Sequence, residues 1–248
     1  MFGIFKKKEK SSGVAIPLPV TTDIHSHILP GIDDGSPNIE TSLKLVKGLY
    51  DIGIRKTVAT PHVIGDMYRN TPEIINEALE KLNTACRENN IQVEISAAAE
   101  YMLDDYFLKL LHNNETLLPI HGKIILTEQS YATPTTNLNE ISFDLVSRGY
   151  KPIMAHPERY FFYHNDYDEY GHLKDMGFLL QVNLLSLTGY YGKAVVKAAK
   201  YILENDLADL VGTDMHHERH LRALQDKNNL EIFQKYLGNK QYNLLESL

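Results

Sequence analysis

His25 and His27, within Asp23-Ile24-His25-Ser26-His27, are the first residues of the chain whose types and spacing suit chemistry. The run Thr21 to His27 reads as a short strand, and residues two apart on a strand point to one side, so both imidazoles would face a common point. Such a pair is a pincer for a metal ion, although an isolated His-x-His is more often two unrelated polar residues at a strand end. Repetition favours the metal reading. Thr60-Pro61-His62, Ala97-Ala98-Ala99-Glu100, Glu128, Ala155-His156 and Thr213-Asp214-Met215-His216 each close a strand-like run, and the acidic turn Asp33-Asp34-Gly35 follows the first. The candidate ligands are therefore His25, His27, Asp34, His62, Glu100, Glu128, His156, Asp214 and His216. At about three or four protein ligands per catalytic ion, with room for water, they suit about two or three divalent ions. Nitrogen and oxygen donors without thiolate fit manganese, iron or zinc. Asp33 competes with Asp34, since either could cap the turn while the other ligates. His217 and His220 are ambiguous beside His216, and His112, His121, His164 and His172 lack strand-end placement and are assigned to solvent or loops.

The elements that would position these residues alternate. Strands are expected at Thr21–His27, Lys56–His62, Gln92–Glu100, Lys123–Glu128, Lys151–His156, Gly177–Asn183 and Asp209–Asp214. Between them the apolar spacing turns helical: Ile39, Leu43, Val46 and Tyr50 before Gly53; a helix capped by Thr71-Pro72 and running to about Asn90; Leu103–His112; Asn137–Arg148; Lys193–Asn205; and His217–Leu237 at the end. This alternation predicts a parallel sheet, and chemistry at nearly every strand's carboxyl end predicts a closed α/β barrel, where all those ends meet at one mouth. An open doubly wound sheet fits less well, because no glycine-rich phosphate loop follows the first strand.

The composition excludes several classes. With 43% hydrophobic and 23% charged residues the chain is an ordinary globular protein, and its 248 residues suit one barrel domain. Lys and Arg number 25 against 32 Asp and Glu, a formal charge of -7 that opposes nucleic-acid binding. Cys86 is the only cysteine, so no intrachain disulfide is possible, and its helical spacing with Ile75, Leu79 and Leu82 makes it a core thiol. No apolar run reaches the length of a membrane span, and the N-terminus places its lysines after a short apolar patch, the reverse of a signal peptide. A cytoplasmic location is expected. Residues 1–20 read as a flexible basic tail ending in a Pro17 and Pro19 linker, and residues 21–248 as the barrel.

Taken together and in this order, Asp23-Ile24-His25-Ser26-His27, Asp33-Asp34-Gly35-Ser36, Thr60-Pro61-His62, Glu100, Ala155-His156-Pro157-Glu158-Arg159 and Thr213-Asp214-Met215-His216 resemble the polymerase and histidinol phosphatase (PHP) superfamily. Within it they are most similar to the CpsB/YwqE-like group, the bacterial protein-tyrosine phosphatases of capsule and exopolysaccharide gene clusters. The resemblance runs from about Thr22 to the last helix. It implies a distorted (β/α)7 TIM-like barrel holding a trinuclear centre, usually manganese or iron. By position, His25, His27, Glu100 and Asp214 would hold one ion; Glu100 would bridge to a second held also by Glu128 and His156; Asp34, His62 and His216 would hold the third. The family's basic residue after the final Asp-x-His cannot be placed uniquely, because Arg219 and Arg222 both qualify. The implied activity is hydrolysis of phosphotyrosine on a protein, a bacterial tyrosine kinase of polysaccharide export being the expected substrate.

The chemistry can also be argued from the residues. Four carboxylates and three divalent ions would leave the pocket net cationic, which suits an anionic phosphate ester. Bound metals lower the pKa of water from about 15.7 toward about 7 and so supply hydroxide for in-line attack on phosphorus. The catalytic expectations are Arg159, whose planar fork could chelate phosphate oxygens, and His62. A salt bridge from Arg159 to Glu158 is the alternative. Tyr68, Tyr131, Tyr160 and Phe161 fall near expected mouth loops and could line an aryl pocket, with packing beneath the loops an equally good explanation for any one of them. A cysteine nucleophile is not credible, since Cys86 lacks the Cys-x5-Arg loop. The competing functions are a small-molecule phosphatase, such as one for histidinol phosphate, and a non-catalytic metal-binding module.

Overall fold

The computed structural model describes residues 17–247, so the basic stretch Met1–Lys10 lies outside the described residues. The expected linker does not: Leu18 and Val20 are buried in the core, and the Leu18 N–H donates to the Ile52 carbonyl (2.8 Å). Packed structure thus begins before residue 21.

In chain order the strands are β1 (Thr22–Ser26), β2 (Lys56–Ala59), β3 (His62–Ile64), β4 (Tyr68–Arg69), β5 (Glu94–Ala97), β6 (Glu100–Met102), β7 (Ile124–Glu128), β8 (Lys151–Ala155), β9 (Leu179–Asn183) and β10 (Leu210–Gly212). The α-helices are α1 (Ile39–Asp51), α2 (Pro72–Glu88), α3 (Asp105–His112), α4 (Leu138–Ser147), α5 (Glu169–Asp175), α6 (Lys193–Glu204), α7 (Glu218–Leu224) and α8 (Lys227–Leu237). Two expected strands are broken. Lys56–His62 divides into β2 and β3 at Thr60-Pro61, where proline cannot donate to the ladder, and Gln92–Glu100 divides into β5 and β6 at Ala98-Ala99. The partners follow each other through the bend, since Ala98 N–H donates to Ala59 O (2.8 Å) and Glu100 N–H to Pro61 O (3.1 Å). The sheets β1-β2-β5 and β10-β9-β8-β7-β6-β3-β4 are therefore one wall with two kinked strands. All its pairings are parallel except the short hairpin β3–β4.

Closure comes between the ends of β10 and β1. His27 N–H donates to Met215 O and Asp214 N–H to His25 O, both at 2.8 Å. Counting each kinked strand once, seven strands close the distorted (β/α)7 barrel. Ile24, Ile124, Leu126, Ile153, Ala155 and Leu210 form an apolar cluster drawn from strands that are not all neighbours in the sheet, so it fills the interior beneath the mouth. The expected last helix is also broken, because Asp226 accepts from the N–H groups of Asn228 and Asn229 and starts α8 afresh. Helix α5 had no counterpart in the expected elements.

Candidate metal centre

The residues expected as ligands converge on the carboxyl-terminal mouth. His25 Nε2 and His27 Nε2 are 3.2 Å apart, the meeting of imidazoles that the alternation on β1 predicts, although the ladder to β2 shifts register between Asp23 and Ser26. Glu100, the first residue of β6 just past the kink at Ala98-Ala99, sits among four imidazoles. Its Oε1 lies 3.2 Å from both His25 Nε2 and His156 Nε2; its Oε2 lies 3.3 Å from His27 Nε2 and 3.1 Å from His62 Nδ1. Asp214 Oδ1 is 3.5 Å from the Nε2 atoms of both His25 and His27, and 3.3 Å from His216 Nδ1. Asp34 Oδ1, on the exposed turn, reaches to 3.5 Å from His62 Nε2 and 3.7 Å from His216 Nε2. His156 and Asp214 both adopt positive φ (35° and 50°), a conformation uncommon outside glycine that turns the chain as each strand ends.

Three groups of ligand atoms are close enough to share an ion: His27, Asp34, His62 and His216; His25, His27 and Glu100; and His62, Glu100 and Glu128. The last grouping differs from the one the resemblance implied, in which His156 would partner Glu128. His62 has carboxylates at both ring nitrogens, with Nδ1 2.9 Å from Glu128 Oε1, and these charges draw it between the two sites.

The fit to cations can be tested on the pocket's own atoms. His62 Nδ1, Glu100 Oε2 and Glu128 Oε1 are buried without a hydrogen-bond partner among the described residues, and they face one another. Burial pushes Glu100 and Asp214 up, but surrounding cations outweigh it: His25 and His62 for Glu100, and His216, His25 and Arg159 for Asp214. Both stay well below the ordinary carboxylate range. Burial and His62 push the His27 imidazole down, yet Asp33 and Glu100 hold it up at about 10. The carboxylates thus favour positive charge among them, which a divalent ion would supply. The donor set of imidazoles and carboxylates fits manganese, iron or zinc.

Behind the ligands lies a second layer. Asp33 Oδ2 accepts from His27 Nδ1 (2.8 Å) and from the His62 N–H (3.2 Å), while its Oδ1 accepts from the Gly35 N–H, so Asp33 orients imidazoles and Asp34 faces the cluster. Gly35 is required there, since a Cβ would lie 2.2 Å from the His27 carbonyl oxygen. On the other flank, His25 Nδ1–H donates to Gln181 Oε1 (2.7 Å), Gln181 Nε2 to Asn183 Oδ1 (2.8 Å) and Asn183 Nδ2 to Asp214 Oδ2 (2.8 Å). Every donor in this arc points the same way, which leaves His25 Nε2 and Asp214 Oδ1 free as ligand atoms. Replacing Gln181 by Leu should weaken metal affinity about 10- to 100-fold, measured by competition with a chromophoric chelator. An unchanged affinity would remove Gln181 from the support of His25.

Arg159 ends the arc. Its Nη1 donates to Asp214 Oδ2 (2.7 Å), and the guanidinium is held between the rings of Tyr131 (4.6 Å) and Tyr191 (4.2 Å). The Glu158 alternative is absent: Glu158 is buried and accepts from the Asn183 N–H and the Ser186 hydroxyl. A cavity of about 350 Å³ opens above, lined by Asp34, His62, Glu128, Arg159, Asp214 and His216, with Tyr68, Tyr131 and Tyr191 as its aromatic walls.

Four expected contributors lie elsewhere. Tyr160 is fully buried, its hydroxyl donating to Ala155 O and accepting from the Gln129 N–H, so it braces the ends of β7 and β8 beneath the mouth. Phe161 is exposed away from the cavity. Arg219 and Arg222 are exposed on α7 outside the lining, and Arg222 pairs with Glu218 (3.7 Å). Cys86 is buried, as its spacing predicts. Tyr191, Gln181 and Asn183 went unforeseen; the pair Gln181 and Asn183 repeats the two-residue spacing of His25 and His27 at a strand end, the one signal that could have revealed them.

The sequence pattern of the family described as Capsular polysaccharide synthesis, CpsB/CapC, matches residues 21–246. Tyrosine-protein phosphatase YwqE of Bacillus subtilis is 28% identical over 88% of this chain and 85% of that protein. Tyrosine-protein phosphatase CpsB of Streptococcus pneumoniae is 32% identical over 79% of this chain and 82% of its own length. A crystal structure from work on these two proteins, described as unique metal-dependent tyrosine phosphatases, superposes with a TM-score of 0.75 at 25% identity, covering 90% of this chain and 96% of the other.

Proposed function

The chain belongs to the CpsB/CapC family, and from that premise we propose that it is a metal-dependent protein-tyrosine phosphatase. The observation that carries the reading is the guanidinium of Arg159, fixed at the rim of an imidazole and carboxylate cluster and facing the same cavity. Two or three divalent ions, manganese or iron before zinc, would polarise the phosphoryl oxygens there and lower the pKa of water. Arg159 can offer its remaining N–H groups to non-bridging phosphate oxygens while Nη1 stays on Asp214. Tyr131 and Tyr191 keep the fork from swinging away. Tyr68, stacked on His62 at 6.1 Å between ring centroids, gives the phosphorylated ring an aromatic surface beside the reacting phosphorus. The leaving tyrosinate has a conjugate-acid pKa of about 10 and needs less proton assistance than an alkoxide would.

The proposed substrate is a phosphotyrosine segment of a bacterial tyrosine kinase controlling polysaccharide export, which would place the enzyme in the cytoplasm. Among the described residues no helix is long and apolar enough to cross a membrane. Phosphate release should be measured on a phosphotyrosine peptide and on histidinol phosphate, with chelator-treated enzyme and with enzyme restored by manganese or iron. Metal-dependent release from the peptide is the expected result. Release from histidinol phosphate alone would replace the protein substrate with a small molecule, and silence on both at full metal occupancy would leave a binding module.

A further inference from the structure

Apart from the aromatic walls and Arg159, the cavity's lining is uneven. His217 and His220 border it on one side. Ile64, Met67, Tyr68 and Met102, from the hairpin β3–β4 and from β6, supply an apolar lip. Met67 is 67% exposed at the tip, yet the hairpin that carries it is firmly held. Gly65 N–H donates to Asp104 Oδ2 (2.8 Å), Met67 N–H to Ile64 O (3.2 Å), and Asn70 Nδ2 to the carbonyls of Ile32 and His62 (2.9 Å each). A Cβ on Gly65 would lie 2.6 Å from Tyr106 Cβ, so the hairpin rests directly on α3. The exposure of Met67 is therefore built into the fold. The other large exposed apolar side chains, Ile74, Phe143, Val146, Phe161 and Leu244, do not line this cavity.

Carboxylates stand beside the lip. Asp34 is 54% exposed, and Asp66 is exposed next to Met67. Arg69, the nearby cation, is exposed, with its Nε donating to Gly65 O and its guanidinium over the Tyr106 ring (5.4 Å), on the α3 side of the hairpin. An acidic residue arriving at the lip meets the carboxylates of Asp34 and Asp66, whereas an apolar one can cover Met67 and Ile64.

We propose that the Ile64, Met67, Tyr68 and Met102 lip is a specificity surface that favours phosphotyrosine segments with an apolar residue beside the phosphotyrosine. The proposal rests on the phosphotyrosine reading above and adds the chemistry of the flanking position. The lip is continuous with the metal cluster through the Tyr68–His62 stack, so a phosphotyrosine seated there brings its neighbours against Met67.

The test compares kcat/KM of metal-restored enzyme on three phosphotyrosine peptides that differ only in the flanking residues, Leu, Ser or Glu, for the native chain and Met67→Ser. The native enzyme should prefer Leu over Glu by about tenfold, with Ser between, and the difference should appear mainly in KM. Met67→Ser should cut the Leu preference over Ser to about twofold or less, with its thermal midpoint kept because the side chain is exposed. Equal rates on Leu and Ser peptides would reduce the effect to charge repulsion and overturn the apolar lip, as would a Leu preference that survives in Met67→Ser. Hydrolysis of histidinol phosphate with none of any peptide would instead sink the phosphotyrosine reading, and the lip's role with it.

Discussion

Replacing Glu100 by Ala should lower phosphotyrosine hydrolysis by about a thousandfold or more, the scale of several kcal/mol of lost transition-state stabilisation, and should lower metal content with it. Both carboxylate oxygens face imidazoles, Oε1 toward His25 and His156 and Oε2 toward His27 and His62, so Glu100 touches four of the candidate ligands at once. The barrel should survive the change, because the apolar cluster of Ile24, Ile124, Leu126 and Ile153 lies beneath the mouth and Glu100 takes part in the ladder through its backbone. Metal stoichiometry by atomic emission and circular dichroism on one sample would separate the effects. Full metal content in a folded but inactive variant would move Glu100 from ligand to another role.

Arg159→Ala should cost about a hundred- to a thousandfold in kcat/KM, the usual effect of removing one donor aimed at developing negative charge. Here metal content should hardly change. Asp214 Oδ2 keeps the Asn183 amide at 2.8 Å after Arg159 is removed, and Oδ1 keeps its place among the imidazoles. Arg159→Lys should recover little, since an ammonium cannot reproduce a fork stacked between Tyr131 and Tyr191. A variant that loses its metal, or a lysine variant near native activity, would contradict the assignment of Arg159 to phosphate.

The convergence of the candidate ligands was legible because two physical regularities coincide in them. Strand periodicity put His25 and His27 on one side, and parallel alternation put the ends of successive strands at one mouth, so residue type at a strand end carried most of the information. The kinks were less visible. Pro61 was a signal against a continuous strand, but Ala98-Ala99 has no breaker, and its bend follows from tertiary pairing with Ala59 and Pro61. For Tyr160 the wall and the buried brace stayed equally open, because a tyrosine near a loop fits both until its hydroxyl partners are seen. Arg219 and Arg222 were drawn in by sequence distance from His216, whereas the turn of α7 carries both outward. Gln181 and Asn183 are neutral amides, which carry no charge pattern, and their part emerges only from the direction of their hydrogen bonds.

The two oxygens of Asp214 look in different directions, one toward the metal cluster and one toward Arg159 and Asn183. With metal and phosphate bound as proposed, a single carboxylate would serve both sites, and occupancy of either would change the free energy of the other. Thermodynamic reciprocity then fixes their relation: the factor by which inorganic phosphate tightens or loosens a metal ion must equal the factor by which that ion changes the affinity for phosphate. The cell's phosphate level and its metal supply would act on this enzyme as one linked variable.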